Sequence, residues 1–389
     1  FEFDNLEYYF GEAAPEVTCR LVGGVARDDM LEYGCRYEKG GYVPYWNVVS
    51  SPRYDRYGNL TMYTSSSKGI RKCLNRPVII TALPAYKVAG DEEPELKFTI
   101  YDVRRQEYIT LATTGTLIRE AGETPGEYAI GTGTLQLPAH YEVAEFIGAA
   151  MEIRHNVIAV SEQEPESIRT LLKKSGIFAS VTGSLQQALD EIRPNGEILL
   201  FPGKYGTGDD SPFIVGTSCS LINHEGTLGS AVLSSPVHMS DAVTSFTAEG
   251  IAFAPEQPES CALNLSRAVP EITVSNSAFM GNRGIFAGNY TSMSLAQCSF
   301  NTSGCGILLA NEDNTSPAPH LENLTFHTPE PDCGTHTFIS IGGDTFSGGI
   351  RTLQIVGVTL DGRSVTDQDD AYLEFMQHCQ CRMTIEIHR

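Results

Sequence analysis

Eight carboxylates in the second half of the chain stand among short strand-like segments and are the first residues to consider for chemistry. They are Asp209, Asp210, Asp241, Glu249, Glu312, Asp313, Asp332 and Asp344. Hydrolysis of a glycosidic bond needs two such groups facing each other across the substrate with differently tuned pKa values. Asp209-Asp210 is the one Asp-Asp pair among them, and solvated turn residues are the simpler reading for the set. The histidines His224, His238, His320, His327 and His336 show neither a helical two-histidine spacing nor a Ser-His-Asp context. Cys379-Gln380-Cys381 has no matching Cys/His pair at zinc spacing. No catalytic residue, metal site or cofactor is therefore assigned.

Charge points instead to binding. The 389 residues carry a net charge of -21, and residues 161–389 hold 11 bases against 26 acids. Such a surface repels nucleic acid and anionic membranes and attracts basic proteins. Asp91-Glu92-Glu93-Pro94-Glu95 forms an acidic loop. The segment Glu2 to Glu12 mixes acids with Tyr8 and Tyr9, which are sulfation candidates in a secreted chain, or members of an edge strand. Asp91, Glu92, Glu93, Glu95, Tyr8 and Tyr9 are the candidate ligand-binding residues. Lys68-Gly69-Ile70-Arg71-Lys72, Arg76 and Arg104-Arg105 offer a looser basic patch that would suit a sulfated glycan.

Ten cysteines and six Asn-x-Ser/Thr sequons point to secretion through an oxidising pathway. The expected glycan carriers are Asn59, Asn264, Asn289, Asn301 and Asn323; at Asn314 the Pro317 that follows Ser316 argues against use. Cys19, Cys35, Cys73, Cys219, Cys261, Cys298, Cys305, Cys333, Cys379 and Cys381 are read as disulfide partners, with pairing open. Cys298 and Cys305 fall in one repeat and would close a local loop, and the odd number before residue 160 suggests a bridge between domains. The start at Phe1, without Met or a basic-then-apolar leader, reads as a trimmed polypeptide. No apolar run approaches the roughly 18 residues of a membrane span.

These residues must be carried by elements, and the second half repeats. One phrase recurs as Gly250 to Phe253, Asn276 to Phe279, Gln297 to Phe300, Asn323 to Phe326 and Gly357 to Leu360, at steps of 26, 21, 26 and 34 residues. An apolar strand follows several of these phrases, as at Ile285 to Ala287 and Ile307 to Ala310. Another precedes them, as at Ile272 to Val274 and Met293 to Leu295. Repeats of this length predict a solenoid of stacked coils. Ahead of it, Ser184 and Gln187 have capping-box spacing, Leu185, Leu189 and Ile192 share one helical face, and Pro194-Asn195-Gly196 stops the helix. An open solenoid end needs such a cap.

Helix, then Gly196-Glu197-Ile198 running to Pro202-Gly203-Lys204-Tyr205, then degenerate strand triplets: this order resembles the start of a pectin-lyase-like right-handed parallel β-helix, over residues 184–364. The resemblance implies fold more than activity, because lyases, hydrolases and non-catalytic adhesins share it. A polygalacturonase-type site would add Asn-Thr-Asp, Gly-His-Gly and Arg-x-Lys motifs, which are missing here. A pectate-lyase-type site would add an aligned basic residue, yet Arg267, Arg283 and Arg351 share no repeat phase.

Residues 1–160 carry strand-like runs without a repeat, such as Val78 to Leu83 and Leu96 to Tyr101, and predict an antiparallel β-sandwich-like domain. Glu164-Pro165-Glu166 starts a helix that Gly176 ends, expected to link the domains over residues 161–183. Residues 365–389 close the chain with a strand near Met383 to Ile387. The expected architecture is all-β. The expected function is non-catalytic binding of a basic, cytokine- or chemokine-like extracellular protein, similar in strategy to secreted viral decoy receptors in immune evasion. The alternatives are a polysaccharide-degrading or glycan-binding groove, and a stiff attachment spacer.

Overall fold

The computed structural model describes residues 2–20, 31–38, 41–48, 72–206, 211–257, 260–266, 269–311, 313–329, 336–366 and 369–388. The chain is all-β and divides into two units. The first comprises Phe1–Tyr86, Glu92–Gly122 and Glu127–Glu152; the second comprises Lys87–Asp91, Glu123–Gly126 and Ile153–Arg389.

In the first unit, two four-stranded sheets enclose a small core of Ala82, Leu117, Ile130 and Met151, with Phe98 and Phe146 packed against it. The strand Arg76–Ala82 alternates buried and half-buried residues, as a sheet with one covered face requires. The expected antiparallel sandwich needs one correction. Tyr141–Ile147 runs parallel to Arg76–Ala82, with a register shift between Val143 and Glu145. The chain can return in that sense because some sixty intervening residues make the crossover.

The second unit is a parallel β-helix of three sheets. The coil strands pair parallel with the equivalent strands of the neighbouring coils, while Arg363–Val365 folds back antiparallel on Thr352–Leu360. The first sheet stacks Gly196–Leu200, Cys219–Asn223, Ser245–Glu249, Glu271–Ser275, Ser292–Ala296, the start of His320–Phe326, the start of Thr352–Leu360, and Thr384–His388. The recurrent phrase supplies the second sheet, Ile251–Phe253 pairing with the start of Ala278–Ala287 and that with the start of Ser299–Leu309. The third sheet holds Leu263, Ile285, Ile307 and Ile339 in one buried column.

The phrase has a physical basis at both ends. Its first residue makes the bend between sheets in a left-handed conformation, with φ of 73° at Gly250, 46° at Asn276, 53° at Gln297, 52° at Asn323 and 70° at Gly357. Glycine and asparagine tolerate this region best, which explains their recurrence. Its last residue points inward. Phe253, Phe279, Phe300 and Phe326 stack with ring centroids 4.9, 5.1 and 5.1 Å apart and interplanar angles of 2°, 9° and 15°.

Both ends of this core are covered. Helix α1 (Pro165–Lys174) lies inside the second unit rather than between domains. The strand before it, Val157–Val160, already pairs with Gly196–Leu200, so the solenoid begins ahead of residue 161. Ile168 and Leu172 of α1 pack with Leu199, an outward residue of the first sheet. Helix α2 (Leu185–Glu191) starts as expected, Ser184 Oγ accepting the Gln187 amide at 3.3 Å. It buries Leu185, Ala188 and Leu189 in the solenoid core. Helix α3 (Asp370–Gln377) is absent from the sequence reading. Asp369 caps it by accepting the Tyr372 amide at 2.6 Å, and Phe375 is buried against Phe326 and Phe338. The expected closing strand is Thr384–His388, and it completes the first sheet.

Candidate binding surface

The acidic loop is engaged in part. Asp91 is ion-paired to the Arg193 guanidinium, and its carboxyl lies below the usual range because of that bond. Glu93 grips Arg119 through both oxygens, at 2.5 and 3.0 Å. Glu92 and Glu95 are exposed. The N-terminal tyrosines sit in a strand, Glu7–Tyr9, that runs parallel to Lys72–Leu74. Both are half-buried, and the Arg104 guanidinium lies 4.6 Å above the Tyr9 ring while also bonding Glu12 at 2.8 Å.

The basic patch is likewise engaged. Lys72 pairs with Glu7, Arg76 with Asp102, Arg104 with Glu12 and Arg105 with Glu107. Lys68 and Arg71 lie outside the described residues, as do Asn59, Cys333, Asp209, Asp210, Glu312 and Asp332. Cys19 and Cys35 lie on the strands Thr18–Arg20 and Leu31–Glu38.

Cys73, Cys219, Cys261, Cys298, Cys305, Cys379 and Cys381 stand as free thiols. Cys298 and Cys305 sit at opposite ends of an extended stretch, where their thiols donate to separate carbonyls, those of Ala296 and Ile307. Burial pushes Cys219 up to about 12 and Cys261, Cys298 and Cys305 up to about 11, so none of these is a ready nucleophile.

Of the remaining candidate carboxylates, Asp313 accepts from Thr315 and Asn289, and Asp344 pairs with Arg382 at 3.3 Å. His327 approaches Asp361 at 3.8 Å, and His224 packs on Phe201. Among the described residues no group of three or more His, Cys, Asp or Glu is arranged to hold a metal ion, and no helix is long and apolar enough to cross a membrane. A cleft of about 380 Å³ opens near α2, lined by Glu162, Ser184, Lys204, Tyr205, Phe213 and Ser235. Two of its polar groups are spent on the fold. Lys204 is ion-paired to Glu256, and the Tyr205 hydroxyl donates to the Val160 and Phe201 carbonyls, while burial and Glu162 push that phenol up to about 12.

A different surface comes together on the first sheet. From Ser245–Glu249 to Thr384–His388, alternation turns one set of side chains outward. These include Glu249, Glu271, Glu322 and Glu386, with His320 and His388; most of the others are Ser or Thr. Glu322 lies 3.2 Å from His320, and Glu386 lies 3.8 Å from His388. No Lys or Arg projects from these six strands, although Arg351 stands in the turn before Thr352. Glu249 was visible in the sequence as a carboxylate candidate, but Glu271, Glu322 and Glu386 were missed. Register was the missing signal, because the four fall on one face only when the coils are aligned.

Among the described sequons, Asn323 borders this face, its Nδ2 lying 3.4 Å from Glu322 Oε1. Asn264 and Asn301 lie on strands of the third and second sheets. Asn289 is exposed in a turn, and Asn323 is exposed at the bend after Glu322.

Comparison with known proteins gives one partial likeness. The MBG domain (YGX type) family matches residues 78–150, which lie mainly in the first unit and its paired sheets. No curated protein matches the chain, and no solved structure matches it.

Proposed function

We propose that this chain is a secreted glycoprotein that binds a basic extracellular protein through acidic surface, without catalysis. The observation that carries this reading is the unneutralised acid of the second unit. From residue 161 onward there are 26 acids and 11 bases. Five of those bases, Arg169, Arg193, Lys204, Arg363 and Arg382, are already held in ion pairs with Glu166, Asp91, Glu256, Glu374 and Asp344. The remaining carboxylates give a long-range attraction for cations and faster encounter with a basic partner. A decoy of the kind that captures a cytokine or chemokine fits this chemistry. The repeat phrase and the α2 entrance support kinship of the second unit with pectin-lyase-like β-helices.

The test is affinity capture. The glycosylated protein is immobilised, exposed to a mixed pool of extracellular proteins and glycans, and the retained species are identified by mass spectrometry. Recovery of a small basic protein that salt releases supports the reading. Retention of glycans alone, or of proteins that salt does not release, overturns it.

A glycan-binding reading has one observation in its favour, the cleft beside α2 with its hydroxyl and aromatic lining at Ser184, Ser235 and Phe213. Retained glycans should then compete for the cleft, and Phe213→Ala should release them.

A further inference from the structure

We propose that the outward face of the first sheet, from Ser245–Glu249 to Thr384–His388, is the docking surface for an extended, lysine- or arginine-rich segment of a protein partner. This rests on the reading of a basic ligand given above and assigns that ligand a place. Six strands at the usual inter-strand spacing cover about 24 Å along the helix axis. On the first three strands the outward side chains beside the carboxylates are small, among them Thr247, Thr273, Ser275, Ser292, Ser294 and Ala296, so a backbone can approach closely there, while His320, Gln354 and Val356 stand outward on the next two strands.

Register fixes the charge spacing. Glu249 aligns with Ser275, Ser275 with Ala296, and Ala296 with Glu322. The two glutamates therefore share one column three coils apart, about 14 Å. In an extended peptide, residues i and i+4 are also about 13–14 Å apart and point to the same side. A segment lying along the axis with basic residues at i and i+4 meets both carboxylates.

Three features favour this occupant over others. All four carboxylates lie on a face without Lys or Arg, so a second copy of the chain docking face to face would set acid against acid. Helix α1 covers this sheet only at its near end, over Leu199. Of the described sequons, Asn264 and Asn301 lie on other sheets, so glycans on them would leave the face open, whereas Asn323 Nδ2 lies 3.4 Å from Glu322 Oε1 and a glycan there would border it.

The test uses the full chain and a 15-residue peptide alternating lysine and serine, with affinity read by isothermal calorimetry at low and physiological salt. One variant combines Glu249→Gln, Glu271→Gln, Glu322→Gln and Glu386→Gln. A charge-matched control combines Glu164→Gln, Asp190→Asn, Glu191→Gln and Glu225→Gln, which lie off the face. The face variant should bind about tenfold more weakly, with the control within about twofold of wild type. Equal weakening in both variants means diffuse attraction, and it overturns the docking face while sparing the basic-ligand reading. Failure of the wild type to bind the peptide overturns both. Circular dichroism confirms that each variant is folded.

Discussion

Arg76 Nε lies 2.6 Å from Asp102 Oδ2, and both residues are almost wholly inaccessible, at 2% and 1% exposure. The pair joins two neighbouring strands of the first unit. Further bonds anchor it, since Arg76 donates to the Phe10 carbonyl while Asp102 accepts the Arg104 and Arg105 amides. Burial pushes the Asp102 carboxyl up, but those two amides and the guanidinium together hold it below the usual range.

Removing one partner leaves the other charge buried. Asp102→Asn should cost about 3–5 kcal/mol, measured by urea unfolding of the first unit's transition. Because the carboxyl is depressed in the folded state, its stabilisation is present above the ordinary Asp pKa and is lost as pH falls through the lowered value. The stability difference between wild type and Asp102→Asn should therefore shrink under strongly acid conditions.

In the second unit the phenylalanine stack is the equivalent test. Phe300 is 1% exposed and touches rings both above and below. Phe300→Ala should destabilise the solenoid by about 3–5 kcal/mol, whereas Phe300→Leu should cost clearly less. Thermal unfolding followed by calorimetry would separate them.

The bends make a prediction of opposite sign. Gln297 occupies the left-handed region in which its phrase-mates include Gly250 and Gly357. Gln297→Gly should stabilise by about 1 kcal/mol, because the strain of a side chain there is relieved. Gly357→Ala should do the reverse and more severely, since a Cβ would fall 2.5 Å from Asn323 Oδ1. A matched pair of denaturation curves decides both.

Acid should loosen the far end of the solenoid. His336 stacks on His378 at 4.0 Å beside Phe338, and its buried Nε2 has no hydrogen-bond partner among the described residues. Burial and then the His378 charge lower its pKa. Its contribution is thus complete above the ordinary histidine pKa near 6.5 and falls away as pH drops through the lowered value. The melting temperature of the wild type should fall more steeply below about pH 6.5 than that of His336→Gln. Parallel slopes would rule the pair out as the cause.

Much of the second unit was legible because its signals are local. A left-handed bend selects Gly or Asn, an inward stack selects Phe, and both recur in the sequence at a step of one coil. Helix α2 announced itself through Ser184 and its apolar face. Helix α3 did not, because Asp369 lies in an acidic run that reads equally well as a solvated loop. The candidate face was hidden for a different reason. Glu249 and Glu322 are separated by loops of unequal length, and only inter-strand register brings them into one column. At the acidic loop the converse holds, since nothing local announces that Arg193 and Arg119 pair with Asp91 and Glu93.

Ser275 and Ala296 occupy equivalent places on adjacent coils, and Asn276 and Gln297 follow them. The chain from 276 to 296 is thus one complete turn, and its excision would join Ser275 to Gln297 with every inward column unbroken and Phe253 facing Phe300. Length in this molecule is quantised: it can be shortened or extended by whole turns while fractional changes are forbidden, which lets reach vary without redesign of the cross-section.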